Sequence, residues 1–155
     1  MPYYYGEVEA TTNPIVNLVD SFVAVTAASG QIVQLSRFTV SVPGLPPGVE
    51  TALRVQVTQR PLLGTGSISS QPVRLSPMAD TSASALGLKS GATAFSGGVV
   101  SYTVRQLAIN MRSTYEWVPT SIDEMPTCAP GQTIGLDLSA ATSSVVVRVE
   151  CEWKE

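Results

Sequence analysis

Val145-Val146-Val147-Arg148-Val149-Glu150-Cys151-Glu152-Trp153 is the stretch whose reading decides the fold. Val145, Val147, Val149, Cys151 and Trp153 fall on every second position, with Val146, Arg148, Glu150 and Glu152 between them. A strand turns successive side chains to opposite faces, so this alternation describes a ribbon with one face on a core and one in water. Ala52-Leu53-Arg54-Val55-Gln56-Val57-Thr58-Gln59-Arg60 repeats the pattern, with Leu53, Val55 and Val57 on one side. Cys151 occupies a core-facing slot and reads as a small hydrophobe.

Weaker strand signals fill much of the remaining chain. Phe22–Ala27 and Ile32–Val42 are rich in Val, Ile, Phe and Thr, and Ser29-Gly30 between them is a turn signal. In Val99–Met111, the residues Val100, Tyr102 and Val104 alternate with Ser101, Thr103 and Arg105. Short segments at Val73–Leu75, Tyr115–Val118 and Ile134–Leu138 complete the set. Pro or Gly interrupts nearly every window long enough for a helix, leaving room for one or two helical turns around Asp80–Leu86. Pro43-Gly44-Leu45-Pro46-Pro47-Gly48 is a stiff turn, and residues 61–72 and 76–98 read as long Gly/Ser/Ala/Thr loops. The expected fold is all-β over the 155 residues as one domain, with residues 1–14 a candidate N-terminal arm. A two-sheet sandwich follows, with a jelly roll the first choice. An immunoglobulin-like sandwich is the second, although the Cys–Trp–Cys spacing of true immunoglobulin domains is missing.

Charged residues make up 14% of the chain, against roughly 25% in an ordinary domain. Neutral polar groups lose less than ions on leaving water, so such a surface suits a protein covered by neighbours; a monomer with an uncharged surface is the plainer alternative. The net charge of −3 and the absence of any Lys/Arg run argue against nucleic acid or an anionic membrane as partner. The uncharged stretches Ser21–Ser36 and Ser90–Val104 are too short and polar to span a bilayer. The start, MPYYYGEVE, has neither the basic nor the apolar segment of a signal peptide, so synthesis in a reducing cytoplasm and two free thiols, Cys128 and Cys151, are expected.

Catalytic equipment is sparse. The chain has no histidine, which removes the usual general base and the usual metal ligand, and no cofactor or metal is expected. Cys128 lies in a Pro-bearing loop, Met125–Gly131, without a basic residue close in sequence to activate it. Glu116, Asp123 and Glu124 could in principle flank a glycosidic bond, but neighbouring acids in a polar loop are ordinarily solvated. Lys89-Ser90-Gly91-Ala92-Thr93 has the composition of a phosphate loop without its glycine spacing. Tyr3, Tyr4 and Tyr5 form one aromatic cluster, suited to an intersubunit arm or to local packing, and Tyr115 with Trp117 forms another. The chain reads as a building or binding part and not as an enzyme.

One order of features carries a family resemblance. Ala52-Leu53-Arg54-Val55-Gln56-Val57 leads into Gln71-Pro72-Val73-Arg74-Leu75-Ser76-Pro77 and an Ala/Ser-rich segment. Val104–Asn110 and Tyr115-Glu116-Trp117 follow, then Pro130-Gly131-Gln132-Thr133-Ile134-Gly135-Leu136 and the terminal alternating strand. Over residues 50–155 this resembles the small jelly-roll cement or decoration proteins bound outside the heads of tailed bacteriophages. The resemblance implies a virion protein on the capsid exterior, made in the host cytoplasm. Its implied partners are the major capsid protein and further copies of itself, as a dimer or trimer. The contacts it implies are Tyr3, Tyr4 and Tyr5, with Leu62, Leu63, Leu86, Leu88 and Phe95 in the two long loops. A receptor- or carbohydrate-binding sandwich of a phage tail or fibre is the alternative, with Trp117, Tyr115 and Tyr102 on an exposed platform.

Overall fold

The computed structural model describes residues 3–11, 20–27, 30–44, 52–60, 73–74, 85–88, 95–96, 102–140 and 145–155. Twelve strands are formed among them. They are β1 (Tyr3–Thr11), β2 (Asp20–Thr26), β3 (Val33–Ser41), β4 (Ala52–Arg60), β5 (Val73–Arg74) and β6 (Ala85–Leu88). The rest are β7 (Phe95–Ser96), β8 (Tyr102–Asn110), β9 (Tyr115–Trp117), β10 (Thr127–Cys128), β11 (Thr133–Ala140) and β12 (Val146–Lys154). All pairings are antiparallel and fall into two six-stranded sheets, an all-β sandwich. The first sheet runs β10-β3-β12-β1-β5, with β9 also on β3. The second runs β6-β2-β11-β4-β8, with β7 also on β2.

The pairings are nested. The first strand lies on the last, β1 on β12; β2 lies on β11; β3 lies on β10 and β9; and β4 lies on β8. Sequence alternation places the core between the sheets. Val147, Val149, Cys151 and Trp153 of β12 face Leu53, Val55 and Val57 of β4 and Ile134 and Leu136 of β11 across one buried cluster. Strand β3 shows how a break in alternation is absorbed. Its inward residues are Val33, Leu35, Phe38 and Val40, with two polar residues, Ser36 and Arg37, in the middle. Glu152 pairs with Arg37 and Trp153 with Leu35, so Ser36 is the extra residue of a bulge. Its hydroxyl donates to the carbonyl of Glu152 at 3.0 Å.

Three expectations are corrected here. Tyr3–Thr11 is not an arm: it is a nine-residue strand in register with β12 from Tyr3↔Lys154 to Thr11↔Val146. Burying Tyr4 against Trp153, with ring centroids 5.9 Å apart, draws this segment onto the sheet. Residues 76–98 are not loop throughout, since β6 and β7 cap the outer edge of β2. That pairing satisfies backbone groups and does not depend on hydrophobic periodicity, which these short strands lack. The helical turns expected at Asp80–Leu86 meet a strand at Ala85–Leu86, and residues 80–84 lie outside the described residues, as do 61–72 and most of the Pro43–Gly48 turn. Gly44 and Gly30 do take the positive φ, +70° and +80°, that their turns require.

Truncating Val147 or Val149, each fully buried, to Ala should lower unfolding free energy by about 1–3 kcal/mol in a denaturant titration, through lost transfer energy and a residual cavity. A variant that unfolds with the parent would show that the inward face of β12 is misassigned.

Candidate interaction surfaces

The three N-terminal tyrosines part company. Strand alternation turns Tyr4 into the core, where it is 3% exposed, so it is not available as an external contact. Tyr3 and Tyr5 face outward. Tyr3 is 39% exposed and carries the Lys154 ammonium 4.9 Å from its ring centroid. The Tyr5 hydroxyl donates to Glu7 Oε2 at 3.0 Å. Desolvation first, then that hydrogen bond and the nearby carboxylates, push its phenol up to about 12. Leu86 and Leu88 sit on β6, opposite Val25 and Val23, and Phe95 sits on β7 opposite Ser21. Their side chains, and all of Leu62 and Leu63, lie outside the described residues.

The outward face of the first sheet gathers charge that the sequence spreads over distant segments. Arg148 bridges Glu7 and Glu9 across the β1–β12 pair, at 3.2 and 2.8 Å. Arg37 bridges Glu152 at 2.9 Å and Glu116 at 2.6 Å, tying β12, β3 and β9 together. Glu116 is thereby engaged on this face, while Asp123 and Glu124 belong to the 3-10 turn Ile122–Glu124. Exposed pairs of this kind contribute roughly 0–1 kcal/mol each. A face whose charges already answer one another is poorly suited to an apolar partner.

A different surface is built where the sandwich opens, between the edge strand β8 and the chain from β9 to β10. Here a cleft of about 300 Å³ is floored by Trp117 and Val57. Val104 and Arg105 form one wall, and Asp123, Glu124 and Pro126 form the other. Alternation alone would put Val104 and Arg105 on opposite faces of β8. The register instead jumps from Val57↔Arg105 to Thr58↔Thr103, so Val104 is a bulge residue and both side chains line the cleft. The Arg105 guanidinium stands 5.7 Å from the centroid of Trp117, whose indole stacks on Phe38 at 5.3 Å. The opposite wall is tied down: Glu124 Oε2 accepts from the Thr120 amide and hydroxyl, each at 3.0 Å, and the Leu35 amide donates to the Pro126 carbonyl at 2.9 Å. The two bonds from Thr120, that of its backbone amide foremost, with the charge of Arg105 adding to them, hold Glu124 below its usual carboxylate range.

Trp117 is 5% exposed, so it forms no open platform with Tyr115 and Tyr102; Tyr102 is 81% exposed. Among the described residues there is no group of three or more potential metal ligands, and no helix long and apolar enough to cross a membrane. The chain matches no family model, no curated protein and no solved structure.

Cys128 and Cys151 are both free and buried. Cys128 belongs to the short strand β10 and not to a loop, and burial pushes its thiol from an ordinary 9 to about 11. Burial raises Cys151 further. Both are therefore thiols, not thiolates, at neutral pH. A thiol titration should find both unreactive in the native protein and both reactive once it is unfolded without reductant. Because the folded values lie above the unfolded ones, the stability they contribute is intact below about pH 9 and is lost as pH rises toward about 11. Cys128→Ala should make that decline shallower, Cys151 and Tyr5 supplying the rest; an unchanged alkaline profile would contradict the assignment.

Tyr4→Ala should cost about 3–5 kcal/mol, as truncation of a buried aromatic does, whereas Tyr3→Ala should stay within about 1 kcal/mol of the parent. Equal effects in thermal or denaturant unfolding would mean that β1 is not seated as described.

Proposed function

We propose that the protein is a structural component of a tailed-bacteriophage virion: a jelly roll that binds the outside of the capsid lattice as a homo-oligomer and stabilises it without catalysis. The nested strand order is the observation that supports the jelly-roll part of this reading. A chain laid out as one long antiparallel hairpin pairs first strand with last, second with next to last, and so inward. Rolling that hairpin yields two sheets in which β1-β12-β3 and β2-β11-β4-β8 are neighbours, the order found here. Such an order is what a jelly roll of two Greek keys would give, a fold used by viral capsid and lectin domains alike. The resemblance of residues 50–155 to cement proteins supports the further step to the head exterior. The lack of histidine and the buried, protonated thiols fit a part that does no chemistry.

The mechanism is one of added contact area. A shell filled with DNA is pushed outward, and a protein bridging neighbouring capsid subunits supplies buried surface that exists only in the assembled lattice. About 1,600 Å² suffices for a specific interface. Oligomerisation makes the later contacts intramolecular and multiplies the effect. Neutral residues and not the ion-paired face of the first sheet should make the attachment, so occupancy should persist at high salt.

The test is to heat particles carrying and lacking the protein and to follow DNA release, which should occur at a higher temperature in the decorated particles. Equal release temperatures at full occupancy would rule out a cementing role. Deleting residues 1–6 cannot probe attachment, because it removes Tyr4 from the core; Tyr3→Ala is the informative variant.

A further inference from the structure

We infer that β8 is the seat of a two-fold contact with a second copy of this chain, the segment Gln106–Asn110 pairing antiparallel with its own equivalent about Ala108. Such a pair would supply the self-association that the proposed function calls for, and to that extent it rests on that reading. β8 is nine residues long and ends the second sheet; among the described residues it pairs on one side only, with β4. An edge of this length offers backbone donors and acceptors to a further strand. Tyr102 to Gln106, Ala108 and Asn110 are exposed, and Tyr102–Asn110 carries no proline, no glycine and one charge, Arg105.

A two-fold contact brings one patch against itself, so the strand must suit its own sequence read backwards. Centred on Ala108, the pairing sets Gln106 opposite Asn110 of the second copy, Leu107 opposite Ile109, and Ala108 opposite itself. Leu107 and Ile109 belong to the core side of β8, so apolar side chains meet apolar ones there. On the other side two amides meet. Asn110 Oδ1 accepts from the Arg112 amide at 2.9 Å, which leaves the Asn110 amide nitrogen to donate to Gln106 of the second copy. Ala108, on the axis, is too small to obstruct the approach. Each Arg54 lies one strand in from Ala108, so the two are three strand spacings, about 14 Å, apart and beyond the screening length of roughly 8 Å.

The bulge and the inward charge select this register. Centring on Gln106 or Leu107 would set Arg105 against Leu107 or Ile109 of the second copy and draw the Val104 bulge into the ladder. A centre between two residues would oppose inward to outward side chains. Centring on Ile109 leaves only Ala108–Asn110 paired before the strand ends. Ala108 is the centre of the longest pairing that excludes both Arg105 and the bulge, which are edge-protecting devices confined to the other half of β8.

The experiment is sedimentation of the purified protein over a concentration series, with Ala108→Lys and Ala108→Cys beside the parent. The parent should move reversibly from monomer to dimer. Ala108→Lys, which sets two ammonium groups face to face, should weaken that dimer about tenfold or more at an unchanged melting temperature. Residues opposite one another in an antiparallel pair stand about 4.5–5.5 Å apart, within reach of a disulfide. Because Cys128 and Cys151 are buried, mild oxidation of Ala108→Cys should yield a covalent dimer through the new thiol alone; this variant remains informative even if the lysine disturbs β8. A parent that stays monomeric throughout overturns the inference, as does an oligomer indifferent to Ala108→Lys or a dimer that Ala108→Cys does not cross-link. A monomer that loses attachment to particles on Ala108→Lys would assign the edge to a strand of the capsid protein instead. None of these results alters the DNA-release comparison, so the cementing role stands or falls separately.

Discussion

The seating of the last strand between the first and the third is the constraint on which the molecule depends. β12 pairs along nearly its whole length with β1 on one side and β3 on the other. Its inward residues Val147, Val149, Cys151 and Trp153 are each no more than 2% exposed. A strand of this kind is completed only when β1 joins it, a pairing of very high sequence separation. Loop closure must be offset before such contacts return anything, which favours slow, cooperative folding. The Tyr4–Trp153 stack fastens one end of this arrangement, and the Trp117–Phe38 stack extends it to the far edge of the same sheet.

The two sheets divide the remaining work. On the first, alternation delivers acids and bases from β1, β3, β9 and β12 to one outward face, where they neutralise one another. On the second, the strand β11 is buried on both faces: Ile134 and Leu136 toward the core, and Thr133 and Asp137 on the opposite side, where Thr58 is buried as well. A face already closed in this way is consistent with a chain so poor in charge, since solvent reaches less of it. The cleft lies beside β8, a nine-residue strand that forms a sheet edge among the described residues. Edge strands are where bulges and inward charges accumulate, and here those same devices build a polar wall.

How much of this was legible in the sequence depended on regular alternation. Residues 52–60 and 145–153 announced β4 and β12 because valine recurs at every second position with charged or polar residues between. β1 was hidden: its buried positions Tyr4 and Gly6 share no common size or character, and the tyrosine triplet invites reading as an arm. In hindsight Glu7 and Glu9, two apart and complementary to Arg148, were the available signal. β5 was marked by Val73–Leu75, whereas β6 and β7 left no trace, because strands of two to four residues that only cap a neighbour need no periodicity. The cleft was missed for a related reason. The segment Tyr102–Arg105 alternates cleanly on paper, and a bulge, which depends on the partner strand, is what turns Val104 and Arg105 to the same side.

Amide hydrogen exchange, resolved residue by residue, tests the central claim that the chain's two ends close the first sheet. The amides of β1 that donate to β12 should exchange as slowly as those shared by β12 and β3, all governed by global unfolding. Fast exchange across Tyr3–Thr11 alongside a protected β12–β3 pair would contradict the account, returning that segment to the status of an arm and breaking the nested order on which the proposed function stands.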